Sequence, residues 1–294
     1  MDWRVVIALI LANAGIAFFA KKLTNGFPKF RGLFLQYFCA FFLVSLIWLV
    51  FDSFPFSFYD FALIGGGMGL LNFLGVYCQW SLFKISMSKT SLFAPLSSVV
   101  TIALFWIFYQ EYQHLTWLSI LGICLHFGAI YLFISKKERK QEEVGNMAKW
   151  LVLVIVWILI CGLKDFLIRV FASNETPNHH FLVYYYTGSF LFSAIALLFL
   201  GGEKNLAVPV ESTPKKLYIF ALLSSFAIMS NQASEYWGFQ VSVGSAVISL
   251  QGLNGVFIPV LIGCLLFGEA KDLSKKDILG FILGAIAAIL IILC

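Results

Sequence analysis

The sequence predicts an all-α integral membrane protein of ten transmembrane helices, arranged as two inverted five-helix repeats. Three observations carry that expectation. The chain of 294 residues is 61% hydrophobic and only 12% charged, far from the roughly 25% charged residues of soluble domains. Apolar runs near the ~20 residues needed to cross about 30 Å of hydrocarbon follow one another through almost its whole length. The segment Glu269, Leu273-Ser274, Ile278-Leu279-Gly280 restates an earlier one, Glu111, Leu115-Thr116, Ile120-Leu121-Gly122, at the same internal spacing.

The ten runs cover about residues 4–20, 32–51, 58–80, 91–109, 116–135, 149–171, 179–200, 216–239, 245–267 and 277–294. The first has the length of a signal-peptide core, but Trp3 and Gly15 answer Trp150 and Gly162, so it is read as a retained member of the repeat. The second, Tyr37 to Ser45, runs alongside Tyr185 to Ser193, with Phe42, Leu43 and Ser45 restated as Phe190, Leu191 and Ser193. In the third, Gly65, Gly69, Asn72 and Gln79 share one helical face, and the glycines permit close backbone approach. Gln79-Trp80 there falls opposite Glu235-Tyr236 in the eighth run. The fourth carries Pro95, and the ninth carries Pro259 amid Gly252, Gly255 and Gly263. Both are expected to bend where a neighbour or a cavity satisfies the freed carbonyl. Gly280 and Gly284 give the tenth a small-xxx-small face for tight pairing. The fifth and tenth look structural.

Between the fifth and sixth runs, residues 136–148 form a charged linker that divides the chain into repeats 1–135 and 149–294. Five helices per repeat is an odd number, so the second repeat enters the membrane from the opposite side. Seventeen of the 20 Lys and Arg residues fall on one side and only Arg4 and Arg169 on the other, with Lys164 inside a helix. By the positive-inside rule the rich side is cytoplasmic, which places both termini outside the cell and the protein in the cytoplasmic (inner) membrane. The net charge of +5 is therefore a topology signal, and no nucleic-acid partner is expected. The six cysteines stand singly in apolar segments, which reads as packed thiols and not as a metal set. The pair His179-His180 beside Glu175 reads as solvated loop residues.

With Phe267-Gly268-Glu269, Leu273-Ser274 and Ile278-Leu279-Gly280 closing a proline-bearing helix, and a weaker first copy at Ala94-Pro95 and Glu111, the chain resembles the drug/metabolite transporter superfamily in its ten-helix EamA-type branch. The first copy has Tyr109-Gln110 where the second has Phe267-Gly268. The resemblance covers the full length and speaks to fold and to transport as a class. It implies a bundle in which helices 1, 3, 4, 6, 8 and 9 line a central cavity, helices 5 and 10 buttress it, and rocking helix pairs give alternating access.

Ionisable side chains inside hydrocarbon cost upward of ~2.5 kcal/mol each, so three call for a reason: Lys164 and Asp165 on the sixth helix and Glu235 on the eighth. At about 1.5 Å per residue they fall at similar depths, level with the Tyr184-Tyr185-Tyr186 triplet. One reading has Glu235 and Lys164 contacting opposite charges on a substrate, with Tyr185, Trp80 and Tyr236 as walls. The other has a structural ion pair between them, or Asp165 held by Arg169 one turn on. Ser224, Asn231 and Glu235 share a face, Gln251 and Asn254 lie three apart on the ninth helix, and Asn13 and Gln79 add amides on the first and third. These suit a polar ligand or serve as glue between helices. His126 reads as packed, and Glu111 and Glu269 as local caps at helix ends.

The expected function is a secondary transporter of a small polar or zwitterionic organic metabolite, amino-acid-like or amine-like, working by alternating access in the direction of export. Uptake of a cationic, choline-like amine and a flippase for lipid or lipid-linked sugar are the alternatives. The partners expected are the substrate, membrane lipid and protons as coupling ion, in a monomer or homodimer. No cofactor, metal or enzymatic centre is expected, because no nucleophile motif, phosphate loop or catalytic carboxylate pair is present in the sequence.

Overall fold

The structure is a computed structural model that describes residues 2–50, 57–85, 87–91, 93–110, 117–134, 141–174, 176–201, 215–242, 244–269 and 274–292. Every regular element among them is helical. In chain order the long helices are α1 (Trp3–Gly26), α2 (Lys29–Val50), α3 (Phe58–Ile85), α4 (Ala94–Tyr109), α5 (Trp117–Ile134), α6 (Gln141–Ser173), α7 (Asn178–Leu200), α8 (Lys215–Val241), α9 (Gly244–Leu266) and α10 (Lys275–Ile292). Seven of these, α1, α2, α3, α6, α7, α8 and α9, are long and apolar enough to cross a membrane, while α4, α5 and α10 carry shorter apolar stretches. An all-α, multi-pass membrane protein is the architecture this supports.

The helices pack as a bundle in which α5 lies on α10, α1 on α8 and α9, α2 on α7 and α8, α3 on α6 and α7, and α4 on α6 and α9. Small residues set the closest approaches. A Cβ on Gly188 of α7 would overlap the Gly65 carbonyl oxygen of α3, so the backbones of the two helices touch there. The Asn72 amide donates to Ser189 Oγ at 2.9 Å along the same seam. The Gly65, Gly69 and Asn72 face of α3 therefore looks at α7. Its N-terminal part, Phe61–Met68, is wound as a π-helix through the run Gly65-Gly66-Gly67, a local widening that glycine tolerates. Gly280 and Gly284 lie against Ala129 of α5.

Several sequence expectations need correction. Pro95 does not bend a helix: the chain breaks between a short helix, Met87–Ser91, and α4, and Pro95 sits in the first turn of α4, where its missing N–H costs nothing. Helix α6 begins at Gln141, inside the stretch read as linker, because Gln141-Glu142-Glu143 and Met147-Ala148-Lys149 are strong helix formers. Helix α1 runs on to Gly26, so Lys21 and Lys22 lie in its last turns instead of a loop. His179 and His180 form the first turn of α7, half-buried, with ring centroids 4.2 Å apart. Glu111, Thr116, Glu175, Leu273 and Cys294 lie outside the described residues, as does the His126 side chain.

Helices α4 and α9 end alike. Gln110 (φ 55°) and Gly268 (φ 71°) both take the left-handed conformation just after the last helical turn. That conformation terminates helices and is disfavoured for any residue with a Cβ.

Candidate functional site

Four helices line a half-open cavity of about 110 Å³. Helix α4 contributes Ala94, Ser97 and Ser98, and α6 contributes Cys161, Lys164 and Asp165. Asn231 and Glu235 come from α8, and Gln251 and Gly252 from α9. Residues 161, 164 and 165 share one face of α6 at i, i+3 and i+4, as do 231 and 235 on α8. Gly252 lets α4 and α9 meet beside the cavity: a Cβ there would fall 2.8 Å from Ser98 Oγ. The volume is below the roughly 300–1,000 Å³ of clefts for drug-sized ligands, so it is matched to a small solute.

Lys164 Nζ pairs with Asp165 Oδ1 at 2.9 Å, with side chains 17% and 14% exposed. Both alternatives in the sequence are thereby corrected: the lysine's partner is its neighbour and not Glu235, and Arg169 is engaged elsewhere. Its guanidinium donates to the Phe239 carbonyl and lies 5.8 Å from the Tyr109 ring centroid. The flexible four-carbon stem of lysine allows an adjacent pair that helix geometry alone disfavours.

Glu235 is 1% exposed. Gln232 Nε2 donates to its Oε2 at 3.3 Å, and Oε1 has no hydrogen-bond partner. A buried carboxylate oxygen left unsatisfied is expensive, and this one belongs to a side chain that lines a cavity. Three amides meet beside it. Asn13 Nδ2 of α1 donates to Asn231 Oδ1 at 2.9 Å and to Gln251 Oε1 at 3.3 Å, while also reaching the Leu9 carbonyl at 2.8 Å. Asn13 thus joins α1 to α8 and α9 behind the cavity wall.

The other expected site residues are not brought to the lining. Tyr236 is buried, stacks on Phe181 at 4.5 Å, and spends its hydroxyl on the carbonyls of Phe171 and Thr176 at 3.0 and 2.6 Å. It anchors the α6–α7 connection. Trp80 is buried with its ring edge against Gly32 of α2. Gln79 is half-buried on α3. Asn254 is buried one turn beyond Gln251, with Nδ2 lacking a partner. Tyr185 is fully buried against Phe181 and Tyr186, its hydroxyl likewise without a partner. Aromatic size and depth suggested walls for a ligand, whereas these rings fill the interface between helices. The sequence reading missed Cys161, Ser97 and Ser98; the first lies three residues before Lys164 on the same face, which was the available signal.

A second polar cluster lies further along α1. Glu269, just past α9, receives Lys21 Nζ at 3.1 Å on Oε1, and accepts from the Met87 and Ser88 N–H groups at 3.2 and 2.8 Å. Lys21 also donates to the Phe83 carbonyl at 2.6 Å. Burial raises the Glu269 carboxyl, but the Ser88 and Met87 donors and the Lys21 charge outweigh it and hold it below its ordinary value of 4.5. Glu269 is therefore more than a local cap, because it ties α9 to α1 and to the chain between α3 and α4.

No protein-family model and no curated protein matches the chain. Among solved structures, one crystal structure of a protein superposes with a TM-score of 0.63 over 96% of this chain and 98% of its own, at 15% sequence identity. The arrangement of helices is thus one already seen in solved proteins, over essentially the whole of both chains.

Proposed function

We propose that the protein is a secondary carrier, not an enzyme, which moves a small polar or zwitterionic organic metabolite across the cytoplasmic membrane by alternating access, in the direction of export. The observation that carries this reading is the partnerless Glu235 Oε1 in a polar cavity among apolar helices. By formal charge the cavity holds two acids and one base, and the base is already held by Asp165. The uncompensated carboxylate suits an ammonium group, and the cavity volume suits an amino-acid-like or amine-like solute.

The duplicated, ten-helix, inverted architecture and the resemblance to drug/metabolite transporters belong to the same proposal. Exchanging each helix for the one five places along carries much of the packing onto itself: α1 on α8 becomes α6 on α3, α1 on α9 becomes α6 on α4, and α2 on α8 becomes α7 on α3, whereas the α9–α10 contact has no comparable α4–α5 counterpart among the described residues. The paired left-handed residues Gln110 and Gly268 fit that exchange. Eight residues separate Asn13 from Lys21, ~12 Å along α1, so the Lys21–Glu269 cluster serves as a closure on one side of the cavity. Rocking of the helices would have to break it.

Counterflow in proteoliposomes tests the function. Vesicles carrying the purified protein and preloaded with unlabelled amino acids or amines should take up the matching labelled solute faster than protein-free vesicles. Equal rates across both solute classes would overturn the reading.

A further inference from the structure

We propose that Asn13 fixes the polarity of the site, so that the cavity takes a primary ammonium compound bearing a hydrogen-bond acceptor a few bonds away, such as a small amino acid. The inference rests on the carrier reading and deepens it. Asn13 Nδ2 donates to Asn231 Oδ1 at 2.9 Å and more weakly to Gln251 Oε1 at 3.3 Å, its two N–H groups being shared with the Leu9 carbonyl at 2.8 Å. An amide whose oxygen is engaged offers its NH₂ group to whatever lies opposite, and both of these amides line the cavity. The α8–α9 wall therefore presents donors, suited to a carboxylate, carbonyl or hydroxyl oxygen. Glu235 Oε1, on the same helix as Asn231, presents the acceptor that lacks a partner, suited to an ammonium. The titratable groups that share the cavity with Glu235 are Asp165, Lys164 and Cys161, with the Tyr185 hydroxyl in electrostatic reach. The thiol and phenol are uncharged in their ordinary state, and because Asp165 and Lys164 neutralise each other at 2.9 Å the preference for a cation stays intact. A donor wall and an acceptor within one small cavity read both ends of a zwitterion at once.

Asn13 acts here through two other side chains, so it is a positioning residue, and an inversion is its signature. In Asn13→Asp the side chain keeps its size but only accepts, so the two amides turn their NH₂ groups toward it and their oxygens toward the cavity. Four size-matched probes read this out in purified full-length protein: β-alanine, propylammonium, propionate and propionamide at millimolar concentration, each scored by its shift in melting temperature. Wild type is expected to bind β-alanine most tightly, propylammonium next, and propionate and propionamide weakest. In Asn13→Asp the advantage of β-alanine over propylammonium should fall about tenfold or reverse. Asn13→Ala, which frees the amides to take either orientation, should give an intermediate ratio and covers the case in which the aspartate variant does not fold. Propionate binding as tightly as β-alanine, or a ratio unchanged in the variant that folds, overturns the inference alone. Wild-type protein that binds none of the four and shows no counterflow overturns the carrier reading with it.

Discussion

A buried ion pair matters most for what its loss leaves behind. Removing one partner of Lys164–Asp165 strands the other charge, and such stranding costs about 3–5 kcal/mol. Lys164→Met and Asp165→Asn should each lower the melting temperature more than the double substitution does, which requires a coupling larger than either single loss, about 3 kcal/mol or more, measured as thermal unfolding in detergent. At Glu269 the test is pH. Its carboxyl is held below 4.5 in the folded chain, so the stability it contributes is complete above 4.5 and is lost as pH falls through the lower folded value. The melting-temperature gap between wild type and Glu269→Gln should be constant near neutrality and close only below 4.5. A gap that closes as pH rises would contradict the direction of the shift.

At this scale the sequence was legible wherever hydrocarbon makes a side chain anomalous. Glu235, Lys164 and Asp165 stood out for that reason, and all three line the cavity. Asn231 followed as an amide on the Glu235 face of α8, and Gln251 as an amide on α9. Tyr236 was misread because nothing local announces that its hydroxyl is taken by the carbonyls of Phe171 and Thr176. Lys21 read as a topology charge because its partner, Glu269, is distant in sequence and meets it only through the packing of α1 against α9.

Between elements, backbone contact decides. Gly188→Ala would drive a methyl into the α3 backbone at Gly65 and should cost at least the ~3 kcal/mol at the upper end of ordinary overpacking. Gly66→Ala, whose Cβ would meet nothing within 4 Å, should leave the melting temperature unchanged or raised. At the end of α9, Gly268→Ala puts a Cβ into the left-handed region and should cost about 1–2 kcal/mol. The glycine spacing on α3 pointed to a tight helix contact, although only the fold names α7 as the partner. Pro95 misled because a proline reads alike whether it kinks a helix or starts one, and the break before Ala94 depends on the short helix Met87–Ser91 and the Glu269 carboxylate that receives its first N–H groups.

For the whole molecule, the proposed orientation rests on charge and the proposed function on the cavity. By the positive-inside rule, the excess of Lys and Arg on one side is the ground for the proposal that the loops carrying it are cytoplasmic. A fluorescent reporter that matures only in the cytoplasm, fused after Cys294, should stay dark, while alkaline phosphatase at the same point should be active; the opposite pattern reverses the proposed topology. The proposed function rests on Glu235, whose partnerless oxygen is proposed as the recognition point for an ammonium group on the substrate. The most direct measurement is counterflow of labelled β-alanine in proteoliposomes made with wild type and with Glu235→Gln, which keeps the size of the side chain, replaces one acceptor oxygen by an NH₂ donor and removes its charge. A fall of about tenfold or more with an unchanged melting profile is the predicted result, and exchange at the wild-type rate would contradict it.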